Sequence, residues 1–215
     1  MKGTRVKSTR VRIILAVAAA GVALTACSPT QAGAAAIVGG QRISSSQLDG
    51  NVRELEAALT KAGGSAEQLQ SYGSLPQLVL YQTATAKQLT IAAERQGVTA
   101  TEGEVDQLIT AAGGQAKYEQ QMLQQAVPPS EMRAYAKASL MASKLAAKYG
   151  GGTDQAALQR GTAQASKDVQ AVKIDWNPRY GTFNAQPSQQ QPRIFLTGDR
   201  FGKVPAAQAE SAPQQ

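Results

Sequence analysis

Two carboxylate pairs, Glu54/Glu56 and Glu102/Glu104, and a serine triplet, Ser44 to Ser46, are the side chains whose types and spacing suggest acid–base or nucleophilic chemistry. Neither kind of group is well placed for it. Residues two apart do not share a helix face, so neither carboxylate pair converges on one bond, and both read as solvated helix surface. The serines stand just before a run of helical periodicity and read as caps. No histidine is available to activate them, because the 215 residues include none. That removes His acid–base catalysis, Ser-His-Asp and Cys-His pairs, and His metal sites. One cysteine, Cys27, leaves neither an intramolecular disulfide nor a thiolate zinc site. A Walker-type phosphate loop is also missing. The expectation is a chain without catalytic residues, metal, cofactor or nucleotide, and not an enzyme.

Cys27 does have a chemistry suggested by its position. Lys2, Arg5, Lys7, Arg10 and Arg12 precede an uncharged apolar run, IILAVAAAGVALTA, at 13–26. As a helix that run would span roughly 21 Å at 1.5 Å per residue, short of the ~30 Å hydrocarbon core. It reads as a signal-peptide core rather than a membrane span. Leu24-Thr25-Ala26-Cys27 resembles the lipobox of bacterial lipoproteins. The resemblance implies a diacylglyceryl thioether on Cys27, cleavage before it and an acylated, palmitate-type anchor, with an ordinary free cysteine as the alternative. Acyl chains contribute ~0.8 kcal/mol per buried methylene. The expected location is the extracytoplasmic face of the cell membrane, with residues 28–36, SPTQAGAAA, as a flexible tether. The net charge of +7 falls to +2 once the five leading basic residues are set aside, leaving 17 basic against 15 acidic residues. A nucleic-acid partner, which needs a basic patch on the folded part, is not expected.

The rest of the chain supplies mostly helices. Residues 36–43, AIVGGQRI, read as two short strands around Gly39-Gly40. Ser44 with Gln47 fits a capping box, followed by Leu48, Val52, Leu55 and Leu59 at helical spacing. A longer helix is predicted over 76–96. Leu78, Tyr81, Leu89 and Ala92 form one apolar face and Leu80, Ala84 and Ile91 another, so this helix should be central. Thr101 with Glu104 caps a third helix, which carries Val105, Leu108, Ile109 and Ala112. A shorter segment bears Tyr118, Met122 and Ala126. A last long helix is predicted over 130–149, its Ala and Ser residues allowing close helix approach. Residues 153–168 are polar and read as weak helix at most. Val172, Ile174 and Trp176 then alternate with Lys173 and Asp175, a strand with one buried face. From about 186 the Gln/Pro/Ser/Ala-rich chain is expected to be disordered, with only weak docking around Ile194 to Leu196.

The order of these elements resembles the N-terminal domain of the SurA/PrsA-type extracytoplasmic foldases. The segment AIVGGQRISSSQL at 36–48 follows that family's strand-pair entry to its first helix, with Gly39 where Asn is usual. The segment AERQGVTATEGEVD at 93–106 fits the family's helix end and the following cap. NPRYG at 177–181 is similar to a segment that follows the helical domain in lipoproteins of this kind. In that family a parvulin-type prolyl isomerase follows the last helix, and the chain then returns to complete the module. Here only 22 residues, 150–171, fill that interval, where a parvulin needs about 90 to 100 residues, within the ordinary domain range. The resemblance implies a mainly α, multi-helix SurA N-like module. Its small β-sheet is formed by the N-terminal hairpin and a late returning strand at 172–176. The expected divisions are a signal peptide at 1–26, a tether at 27–35, the helical domain at 36–184 and a disordered tail at 185–215.

The function implied is that of an ATP-independent chaperone or holdase for secreted or envelope proteins, anchored through Cys27 and binding unfolded or extended polypeptides. Tyr81, Tyr118, Met122, Met132 and Met141 are candidate client contacts, since Met-rich apolar surfaces adapt to varied partners. The alternative for each is an ordinary core position. A second reading is an envelope lipoprotein that docks one partner through Arg179, Tyr180 and the tail. Arg179 would otherwise be a strand-end residue pairing with Asp175 or a helix C-terminus. A prolyl isomerase is the third, and the missing parvulin and histidine argue against it.

Overall fold

The computed structural model describes residues 32–196. Cys27, the signal-peptide segment and most of the expected tether lie outside these residues, as does the chain beyond 196. The chain opens with β1 (Ala34–Val38) and β2 (Gln41–Ser44), paired antiparallel from Val38↔Gln41 back to Ala34↔Ser44. The folded part thus starts two residues before the expected boundary, with Ala34 and Ala35 already buried. Gly39 and Gly40 have φ of +55° and +86°, the left-handed pair that a two-residue hairpin turn demands. A side chain at Gly39 would sit 3.0 Å from Val172 Cγ1 and 3.2 Å from Ile91 Cδ1. The turn is wedged between a helix and the returning chain, which accounts for glycine in place of asparagine.

Among the described residues six α-helices follow: α1 (Ser45–Lys61), α2 (Leu75–Arg95), α3 (Glu102–Ala111), α4 (Gln115–Gln124), α5 (Met132–Gly150) and α6 (Gln155–Gln170). Ser44 caps α1 by accepting from Gln47 N, while the Gln47 side chain turns to Glu131 and leaves the expected box half made. Ser74 and Gln77 form a complete box at α2, and Thr101 and Glu104 another at α3. α5 begins two residues later than expected. Ser130 is held in a 3-10 turn, where its backbone N–H donates to Glu54 Oε1 at 2.9 Å.

The late strand does return. β3 (Ile174–Trp176) pairs antiparallel with β1 in the register Ala36↔Trp176 and Val38↔Ile174, giving the sheet order β2-β1-β3. Two glutamines of α2 hold the same returning chain: Gln77 Nε2 donates to Tyr180 O and Gln88 Nε2 to Val172 O, each at 2.7 Å. Asn177 Nδ2 reaches Ala34 O at 2.7 Å. The main core runs from Val38 and Ile43 through Leu55, Leu80 and Val105 to Val127 and Val172. A smaller core around Met141, Leu145 and Ala165 joins α5 to α6.

Two sequence expectations change. The polar stretch at 153–168 is a full helix, α6, capped by Asp154, whose carboxylate accepts from Ala157 N. What holds it is not a bulky stripe but close approach to α5. A Cβ on Gly161 would fall 1.8 Å from Ala146 O, and one on Gly150 1.8 Å from Ala157 O. The stretch expected to be disordered from 185 is ordered as far as 196. β4 (Thr182–Phe183) pairs with β5 (Phe195–Leu196), Ile194 N donates to Tyr72 O, and Phe195 is fully buried. Phe183, Phe195, Trp176 and Tyr81 form one aromatic cluster, with centroids 5.1 to 6.2 Å apart. Three apolar residues within a polar average are enough to dock the segment.

Candidate functional site

Glu102 and Glu104 lie on solvated helix surface as expected and make ion pairs there, while Glu54 accepts from Ser130. Glu102 and Asp106 both meet Arg133 at 2.8 Å, and Glu102 also meets Lys137 at 3.4 Å, tying α3 to α5. Glu104 binds Lys144 at 2.7 Å while closing its capping box. The Lys144 ammonium first, then the Thr101 backbone N–H, lower the Glu104 carboxyl to about 2. Its folded pKa lies below the ordinary 4.5. The associated stability is therefore present above the ordinary carboxylate range and is lost as pH falls toward 2. The melting temperature is expected to fall between pH ~4.5 and ~2. Lys144→Gln should flatten that fall in a thermal melt series; an unchanged pH profile would place its cause elsewhere.

The candidate contacts are not gathered on one surface. Tyr118, Met122 and Met132 are buried in the main core, and Met141 is buried in the smaller one. Burial raises the Tyr118 phenol pKa, with neighbouring Tyr135 adding to the shift. Tyr81 is half-buried against Phe183. Arg179 is exposed in a short turn capped by Asn177 Oδ1 and makes no ion pair with Asp175. Tyr180 is half-buried, and its carbonyl accepts from Gln77.

The structure adds a surface that sequence reasoning missed: a groove of about 420 Å³ between α2, α5 and α6. Its seam is Ala142 and Ala146 of α5 facing Ala165 of α6, and Leu89, Leu158 and Val169 supply bulk. Small side chains keep the helices close without filling the space above them. None of the lining residues is charged, and Ser139, Ser143, Thr162 and Ser166 add hydroxyls. Such a volume and lining suit an apolar segment carrying a few polar groups. The available signal was the small-residue spacing Ala157, Gly161, Ala165 in a stretch otherwise polar. Among the described residues no group of His, Cys, Asp and Glu is arranged to hold a metal, and no helix is long and apolar enough to cross a membrane.

The described residues thus form a helical body closed by a late strand, with an uncharged groove on its flank. The family model for the SurA-like N-terminal domain matches residues 2–146, two thirds of the chain, and the protein belongs to that family. These are chaperone-type, folding-related domains of the extracytoplasmic compartment. No match to the chain was found among curated proteins or solved structures. The matched region ends inside α5, so half of the groove wall, α6, lies outside it.

Proposed function

We propose that the protein is a membrane-anchored, ATP-independent holdase, non-catalytic, that receives unfolded secreted or envelope chains in the α2–α5–α6 groove. The observation that carries this reading is the uncharged, roughly 420 Å³ groove on a member of a folding-related family. Acyl chains on Cys27 would hold the body at the extracytoplasmic face, with residues 28–33 as the tether. Cys27→Ser is expected to move the protein from the membrane fraction to the soluble one; retention on the membrane would overturn the anchor.

The groove is tested by light scattering. Residues 28–215 should slow the aggregation of at least two unrelated unfolded proteins and give no prolyl isomerisation above background. Ser143 is exposed at the groove, so Ser143→Glu should leave the fold within ~0.5 kcal/mol. It should also cut that suppression severalfold by placing a charge where apolar segments must desolvate. Undiminished suppression would remove the groove from the function. The exposed, rigidly capped Arg179 favours a second reading, docking of one envelope partner. Capture of a single protein, abolished by Arg179→Ala and without general suppression, would establish that one instead.

A further inference from the structure

The groove between α2, α5 and α6 also limits the shape of what it can hold. Its walls are all helical: Leu89 comes from α2, Ser139 to Ala146 from α5, and Leu158 to Gln170 from α6. The main-chain N–H and C=O groups of a helix interior are spent on their own ladder, so these walls present no edge to which another chain could pair. The side chains add little. The Thr162 hydroxyl returns to Leu158 O at 2.7 Å, and the other polar lining groups are three serine hydroxyls and the Gln170 amide. An extended segment lying here would bring two main-chain groups per residue out of water. Those few side chains cannot meet them, and each group left unpaired weakens binding. A helix arrives with its main-chain groups already paired, which is why helices also serve in lipid.

The dimensions agree. From Leu158 to Gln170 the α6 wall runs about 18 Å at 1.5 Å per residue, roughly three helical turns. Leu158, Thr162 and Ser166 form a row at i, i+4 spacing, the kind of row between which the ridges of a neighbouring helix seat. The groove is also open, since Ser143 and Thr162 on its two sides are exposed. A lipid acyl chain, apolar all round, would be left with one side in water. A helix with one apolar and one polar face would not. We infer that the groove receives an amphipathic helix of about three turns, uncharged on its buried face, in the place of a neighbour that helix has yet to find. The inference rests on the holdase reading and deepens it: the clients held here are chains whose helix needs a packing surface before its own is made. Helices this short are marginal alone in water, so selection acts on the capacity to become helical rather than on a sequence motif.

The test is photo-cross-linking to the full chain in phosphatidylcholine vesicles. The probe is a peptide of about 14 residues, enough for three to four turns. It carries leucine and alanine on one helical face, glutamate and lysine on the other, and a photoreactive residue in the apolar face. Its twin has the same sequence with D-residues at two central positions, which break a right-handed helix and keep the composition. The all-L peptide should cross-link within 139–146 and 158–170, and the twin should bind about tenfold more weakly, the cost of exposing one or two main-chain groups to an unpaired fate. Ala142→Leu separates fit from greasiness. It adds apolar surface at a half-buried position but fills the seam, so it should weaken the all-L peptide while the melting temperature holds. If Ala142→Leu binds that peptide more tightly, the groove captures by apolar area alone and the inference falls. It falls equally if the twin labels the groove as strongly as the all-L peptide, if neither labels it, or if photoreactive palmitate labels it and the helix does not. Aggregation suppression, measured on the same samples, reports separately. Suppression that Ser143→Glu removes, with both peptides binding wild type alike, would keep the holdase reading and overturn the helix.

Discussion

Gly161→Leu is expected to separate α6 from α5 and to abolish aggregation suppression. A Cβ there would lie 1.8 Å from Ala146 O and 2.7 Å from Gly150 N, both backbone atoms that no rotamer change can move aside. Overpacking ordinarily costs ~1–3 kcal/mol, occasionally more, and a leucine against two backbones belongs at the top of that range. For a chain of this size ~3 kcal/mol lowers the melting temperature by roughly 6–12 °C. The loss reaches the groove because Ala146 and Ala165 form its seam. Gly50→Ala is the matching control. Gly50 lies inside α1 with nothing within 4 Å of a new Cβ, so the substitution should stabilise by up to ~1 kcal/mol through helix propensity. A Gly161→Leu protein that melts with wild type and still suppresses aggregation would refute the close-packed seam.

Phe195→Ala is the second large effect, and it should unlock a segment rather than melt the whole. Phe195 is fully buried, edge-on to Trp176 at 5.1 Å and to Phe183 at 5.8 Å. Truncating a buried phenylalanine costs ~3–5 kcal/mol. A two-residue strand pair has little else to hold it, so the loss is capped at the free energy with which 182–196 docks. Beyond that point the segment leaves and the helices remain. Trp176 is the only tryptophan and stacks on Phe183 at 5.2 Å. Its emission should therefore shift red at temperatures where the circular dichroism of the helices is unchanged. Coincident fluorescence and dichroism transitions in the variant would show that 182–196 is part of one cooperative unit.

The legible parts of this fold were those written in strong local signals. Gly39-Gly40, the Thr101/Glu104 box and the stripes of α1 to α3 each announce their structure within a few residues, and all three are realised. The return of β3 to β1 was legible only through family resemblance, since no local signal names a partner 140 positions away. α6 was understated because hydrophobic periodicity is a search for bulk. Its contact with α5 is made by Gly161, Ala157 and Ala165, where absence of side chain is the packing feature. The groove was illegible for the same reason, being space left by small residues on α5 and α6.

The pairing of Ala36 with Trp176 also sets a clock. A polypeptide delivered N-terminus first presents β1, its hairpin mate and all six helices before the residues that seal the sheet arrive. Until then the outer side of β1 has unmet hydrogen bonds, and α2 holds Gln77 and Gln88 out for a segment not yet made. Loop closure on this scale is slow and non-local. Maturation therefore waits on the C-terminal third of the chain, and a protein interrupted before residue 176 would itself be a client for a holdase.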